Sequence, residues 1–484
     1  MKTLEHQLAD YGDRQRELHG PITAAELIVQ IDQFAPVQPL RPVVQSARFR
    51  PPQQWLVAVA AAAAVLVLVG AGAMLFRVTS SDSPVADTIA PTTLVESSQT
   101  TLAESSPTTL PEFAASSSWS RVPHHEAAAF GGEGEQGMSS VTVGGPGLVA
   151  VGWENGYAAV WTSADGLSWS QVAHDEAVFG GRDTQMRSVS VGGPGLVAVG
   201  WEDEVLDEDA EPSAAVWTSV DGSTWSRVPH DEDVFGAALM TSVTAGGPGL
   251  VAVGMTTPGG DGNAAVWTSD DGFNWTRVPH DETVFGGVDR QVIHDVTVGG
   301  PGLVAVGNDG GRGWWDNNPG NNAAVWTSVD GFTWSRVSRD EPVFSDGGNP
   351  VMLSVTAGGP GLVAVGADSW LPELARTPVW TSPDGFTWTR VPDDETVRGS
   401  MTSVTAGGPG LVAVGSDRIG SDTSEATAVW TSVDGIKWSR VPHDDAVFGK
   451  WPDWINDVTL GGPGLLAVGV HGGDAAVWVA VPEG

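Results

Sequence analysis

The stretch TSADGLSWSQVAHDEAVFGG, residues 162–181, sets Ser163, Asp165, His174, Asp175 and Glu176 close together along the chain. A serine, an imidazole and carboxylates are the parts of a nucleophilic triad, and paired carboxylates are the parts of a glycosidase. Recurrence argues against both. Ser-x-Asp-Gly-x-x-Trp returns at Ser219, Ser269, Ser328, Ser382 and Ser432. The His-Asp-Glu element returns at His230, His280 and His443 with neighbouring acids, and becomes Arg339, Asp340 and Glu341 in one copy. Copies spread along the chain form neither one triad nor one metal site, so structural or solvated roles are expected of them. His294, in QVIHDV, stands outside this series and reads as a packed polar group near the start of a strand.

Each part of the motif has a scaffold task. Asp165, Asp221, Asp271, Asp330, Asp384 and Asp434 can accept backbone N–H groups in a tight turn, the following glycine can take positive φ, and the tryptophan can pack in a core. The pattern is similar to the Asp-box, or bacterial neuraminidase repeat, of sialidase-like β-propellers, over residues 118–484. The common Asp-box has one further residue between Asp and Gly and usually Thr before Trp, so this is a shortened variant. The resemblance implies a propeller and makes sialidase activity the enzymatic candidate, with an arginine triad, a Tyr nucleophile with a Glu partner, and an Asp acid. Beyond the apolar segment described below, the only tyrosine is Tyr157, in a turn slot where other repeats carry Asn263, Asn322 or Asp474. Arg121, Arg227, Arg277, Arg336, Arg390 and Arg440 recur in an outer strand and are expected to pair with nearby acids. Arg182, Arg187, Arg290, Arg312, Arg339, Arg376, Arg398 and Arg418 remain as anion binders. No catalytic residue is assigned.

The elements that must position these residues follow from the period. GGPG begins at Gly144, Gly192, Gly246, Gly299, Gly358, Gly407 and Gly461, a period that means solenoid, propeller or array. Each unit reads as four short strands, such as TSVTA, LVAVG, AAVWTS and WSRVP, rich in Val, Thr and Trp between Gly-rich turns. GLVAVG and AAVW are apolar on both faces, as strands covered on both sides must be. The seventh unit ends after its third strand, AAVWVAVPEG, whereas the first is preceded by an orphan fourth strand around Trp119. Pairing Trp119's strand with Trp478's removes the open sheet edge. The expected fold is therefore all-β: a seven-bladed β-propeller of four-stranded blades closed by an N-terminal strand.

In such blades the GGPG turns and the Asp turns share one face, and the variable loops share the other, where recognition belongs. NDGGRGWWDNNPGNN carries Arg312, Trp314, Trp315 and Asp316; WLPELAR carries Trp370 and Arg376; KWPDWIND carries Trp451 and Trp454. These eight residues are the candidate ligand-binding set, with stacking and hydrogen bonding to a sugar or peptide on one reading and rings packed on the propeller rim on the other. Trp153 and Trp201 fall in the same variable-face segments. Glu202–Glu211 is a solvated acidic run without the spaced ligands of a calcium loop. No metal or cofactor is expected.

Ahead of the repeats, Leu56–Phe76 is an uncharged apolar run long enough to cross about 30 Å of hydrocarbon. Arg41, Arg48 and Arg50 precede it, which puts the N-terminus in the cytoplasm. The segment before the run is too long for a cleaved signal peptide. The organisation expected is a cytoplasmic segment at 1–54, a transmembrane helix at 55–77, a Ser/Thr/Pro-rich stalk at 78–117 and an extracellular propeller at 118–484. The formal charge of −36 disfavours nucleic acid as a partner. Cysteine is absent, which removes thiolate metal sites and thiol nucleophiles. The function expected is a plasma-membrane-anchored binding module for glycan, peptide or protein. A sialidase-like or other glycoside hydrolase, and a structural or assembly factor, are the alternatives.

Overall fold

Two-residue turns set the architecture. In the first GGPG, Gly144 pairs with Gly147 across the hairpin, and Gly145 takes φ 55° ahead of Pro146, whose ring fixes the next φ. A Cβ on Gly145 would also lie 2.8 Å from the carbonyl oxygen of Asp221, so the turn of one blade tucks under the Asp turn of the next. That approach puts the GGPG and Asp turns on one face, as the repeat order requires.

In the computed structural model, seven four-stranded antiparallel sheets follow one another. It describes residues 118–481 except 124–128, 132–133, 182, 203–210, 258–261, 288, 311–320, 339–340, 346–347, 369–375, 395–396, 409, 419–424 and 451–452, and no side chain at 418 or 425. The expected cytoplasmic segment, membrane span and stalk lie outside the described residues. Among the described residues, no helix is long and apolar enough to cross a membrane.

The innermost strands are Gln136–Gly144, Thr184–Gly192, Ala238–Gly246, Gln291–Gly299, Pro350–Gly358, Ser400–Gly407 and Trp454–Gly461. Each is the terminal strand of its sheet, with a free edge, and each touches its counterparts in the neighbouring blades. Together they ring the axis. The closing strand, Trp119–Arg121, pairs antiparallel with Asp474–Ala480, with Trp119 opposite Ala480 and Arg121 opposite Trp478. Blade seven is thus completed from the N-terminal side, and the ring is closed as the sequence predicts.

The core lies in the seams between blades. One seam joins Val197, Val199 and Val216 of one blade to Met240, Leu250 and Trp267 of the next, with Phe235 wedged between. Trp161, Trp217, Trp267, Trp326, Trp380, Trp430 and Trp478 are fully buried on the third strands. Each such ring brings about 5 kcal/mol of gross transfer free energy at roughly 25 cal/mol per Å².

Candidate functional site

The opening constellation resolves into two structural devices. In the turn, Ser163 Oγ accepts the buried N–H of Gly166 at 2.8 Å, and Asp165 Oδ1 accepts the N–H groups of Leu167 at 2.9 Å and Ser168 at 2.7 Å. Trp169 Nε1 donates to the carbonyl of Gly166 at 3.0 Å. Backbone donors from Ser168 and Leu167 hold the Asp165 carboxyl below its usual range. Asp221, Asp271, Asp330, Asp384 and Asp434 repeat the arrangement, and each carboxyl is likewise lowered by backbone donors.

The His-Asp-Glu element that follows opens a single helical turn. Asp175 caps Glu176–Phe179 by accepting from Ala177 N at 3.0 Å, and Asp231 and Asp444 cap Glu232–Phe235 and Asp445–Phe448. Each turn drives a phenylalanine into the seam and offers a carbonyl to a buried tryptophan of the next blade. Trp217 Nε1 donates to Val178 O at 2.7 Å, Trp267 to Val234 O at 2.7 Å and Trp478 to Val447 O at 2.7 Å. His230 and His280 stay at the surface, paired with Glu232 and Glu282 at 3.0 Å. Tyr157 sets its ring edge-on to His174, at 5.1 Å between centroids.

Five of the six repeated arginines are occupied, whereas among the described residues Arg121 has no acid partner and keeps a buried Nη1 without an acceptor. Arg227, Arg336, Arg390 and Arg440 pair with Glu202, Asp309, Asp368 and Asp417 at 2.7, 2.8, 3.0 and 2.6 Å. Arg277 donates to the carbonyls of Val234 and Gly236. Of the candidate ligand-binding set, Arg312, Trp314, Trp315, Asp316, Trp370 and Trp451 lie outside the described residues. Arg376 pairs with Asp393, beyond the outermost strand of blade five, at 3.1 Å. Trp454 opens the innermost strand of blade seven and is 37% exposed. Among the described residues, no hydrogen bond, ion pair or ring contact joins those two.

The structure instead brings chemistry together on the axis. Every innermost strand carries a bulge at the same point of its ladder, after Met138, Met186, Met240, Ile293, Met352, Met401 and Ile455. A bulge leaves one residue out of register and re-aims its side chain. Those residues are Ser139, Arg187, Thr241, His294, Leu353, Thr402 and Asn456. The residue after each bulge ties its blade to a neighbour. Val189 N donates to Ser140 Oγ, Val243 N to Ser188 Oγ and Val404 N to Ser354 Oγ. Asp295 accepts from Ser242, Ser354 and Val355 N, and Asp457 accepts from Ser403 and Val141 N, which closes the circuit. Burial pushes both carboxyls up from the usual carboxylate range, against the pull of these donors.

The bulge residues are not equivalent. Thr241 and Thr402 spend their hydroxyls on backbone carbonyls, and Asn456 donates its amide Nδ2 to Met138 O. Arg187 lies over the ring of Trp201, 5.3 Å from its centroid. It reaches solvent yet is crowded by protein, and that desolvation lowers its guanidinium from the ordinary value. His294 Nε2 meets Asn308 Oδ1 at 2.9 Å; Asn308 Nδ2 points to Gly310 O and Asn321 Oδ1, so Nε2 is assigned as the donor. Desolvation first, then repulsion from Arg290 and Arg187, brings His294 down to about 4, so it is neutral at pH 7. Arg290 reaches from blade four to Met255 Sδ of blade three at 2.9 Å, and its buried Nε has no acceptor.

Arg187 and Arg290 are two of the eight arginines left over by the sequence, but nothing there joined them to His294. The signal was available: within the repeated Met/Ile-x-Ser/Asp-Val element, x alone varies freely.

No family model and no curated protein matches the chain. Among solved structures it is similar to the WD40 β-propeller domain of Doa1, at 11% identity and a TM-score of 0.40, over 75% of this chain and 97% of that one. The propeller assignment rests on the strand order itself.

Proposed function

We propose that this protein is an interaction module that binds a glycan, peptide or protein through the variable-loop face and the adjoining mouth of its axial channel. One observation carries the reading. Most charged and polar groups of the repeats are consumed in turns, caps and blade ties, whereas the one freely varying residue of each innermost strand sits on the bulge of the ring around the axis. A ring of near-identical blades that varies at one end is a scaffold presenting one composite surface. In this reading the apolar run at 56–76 anchors the chain in the plasma membrane with the propeller outside the cell.

The test is capture by the full-length protein on glycan and peptide arrays, alongside a fluorogenic sialoside panel. Binding lost in Trp201→Ala or Trp314→Ala, without turnover, is the expected result. Turnover abolished by Tyr157→Phe would instead establish a hydrolase and sink the binding-only reading.

A further inference from the structure

We propose that the channel mouth at blades two to four, formed by Arg187, Arg290 and His294, is a binding site for an oxyanionic group of the partner. The inference rests on the interaction-module reading and names the chemistry that this surface recognises.

Charge accounting supports it first. The chain carries 59 acidic residues against 23 basic ones, so acids are in ample supply for its arginines. Four arginines of the outer strands meet acids, and Arg376 does too. Arg187 meets none: among the described residues its guanidinium has no carboxylate and no hydrogen-bond acceptor, only the face of Trp201. Arg290 has only a thioether sulfur for one terminal nitrogen and nothing for its buried Nε. The two acids of the surrounding ring, Asp295 and Asp457, are engaged in the blade ties, accepting donors on both oxygens.

Geometry supports it next. A guanidinium stacked on an indole keeps its N–H edge free, and that edge matches two oxygens sharing one negative charge. Arg187 sits on the bulge of blade two, His294 on the equivalent bulge of blade four and Arg290 just before that strand, and the charges of both arginines raise the cost of protonating His294. Two like charges thus act on one imidazole in a partly desolvated place, and among the described residues neither guanidinium is paired with a carboxylate. An oxyanion beside them offsets both charges, and His294 Nε2 is already held by Asn308, which fixes the ring. The bulk field opposes any anion on a chain of net charge −36, so saturable anion binding must come from a local site.

Calorimetric titration of the full-length protein, at fixed ionic strength in chloride, separates the sources. One arm uses sodium sulfate and sodium acetate; a second uses a tri-glutamate peptide against tri-glutamine. Saturable binding in either charged arm is expected, weakened at least tenfold by Arg187→Gln and by Arg290→Gln and unchanged by Lys437→Gln, an exposed lysine in the Asp turn on the opposite face. Binding by sulfate identifies a free ion as sufficient, and binding by tri-glutamate alone identifies a peptide carboxylate. Thermal unfolding checks that each variant is folded; if Arg290→Gln is not, the solvent-reaching Arg187 decides the matter alone. No saturable binding in any arm, or equal binding by the Arg187→Gln/Arg290→Gln pair, overturns the site. Array capture that survives in this double variant overturns the oxyanion site while leaving the interaction module standing.

Discussion

Ser163 and Asp165 divide one turn between them, and the division makes their substitutions differ. Ser163→Ala leaves the buried N–H of Gly166 without its acceptor, a loss of about 1–2 kcal/mol read from the urea midpoint. The aspartate acts through pH. Its carboxyl is lowered in the folded chain, so its stabilising effect is complete above the ordinary carboxylate range and disappears as pH falls through the lower folded value. Asp295 has the opposite sign: its carboxyl is raised, so its ionised form costs stability above the folded value, and that cost is relieved as pH falls from there toward the ordinary range. Thermal unfolding of wild type and Asp295→Ser from pH 7 to pH 3 isolates this group. Wild-type stability relative to the variant is expected to rise on acidification; a fall through the same window would refute the assignment.

At the scale of the element, the innermost strand is both a wall of the channel and a tie between blades. Asp295 accepts Val296 N through Oδ1 and Val355 N through Oδ2, so an asparagine must turn its amide NH₂ toward one backbone donor. Asp295→Asn is therefore expected to cost about 1–3 kcal/mol, and Asp295→Ser less, because serine holds this place in five other blades. Denaturant midpoints of the two variants check the order. The strands, the shared face of the two turn types and the closing strand were legible because each repeats a local pattern at a fixed period. The helical turn at Glu176–Phe179 was not, since four residues are too few for helical periodicity and its main service, to Trp217, spans a distance in sequence that no local pattern records. The axial cluster was hidden for a related reason. Arg187 and His294 look like unremarkable strand residues until ring closure carries blades two and four to one channel, and Arg290 belongs with them only in three dimensions.

For the whole molecule, closure and charge oppose each other. The strand Trp119–Arg121 completes blade seven, and Trp119 is buried beside Phe448 at 6.5 Å between centroids. Trp119→Ala is expected to cost about 3–5 kcal/mol and to expose the edge of Asp474–Ala480 to pairing with another chain, detectable as a lower Tm with concentration-dependent association. Against that closure stands a net charge of −36, whose self-repulsion every folded copy must overcome. The outer-strand ion pairs are short and partly buried, so salt weakens them little, whereas the repulsion among exposed carboxylates acts over a Debye length that shrinks from about 30 Å at 0.01 M to about 3 Å at 1 M. Tm is therefore expected to climb as sodium chloride rises from about 0.01 M toward 1 M, most steeply at the low end where screening changes the range of repulsion most. Trp119→Ala, with its closing contact weakened, should gain more degrees over that interval than wild type. A Tm that falls with salt would mean that attractive surface pairs, not the excess of carboxylates, govern the stability of the ring.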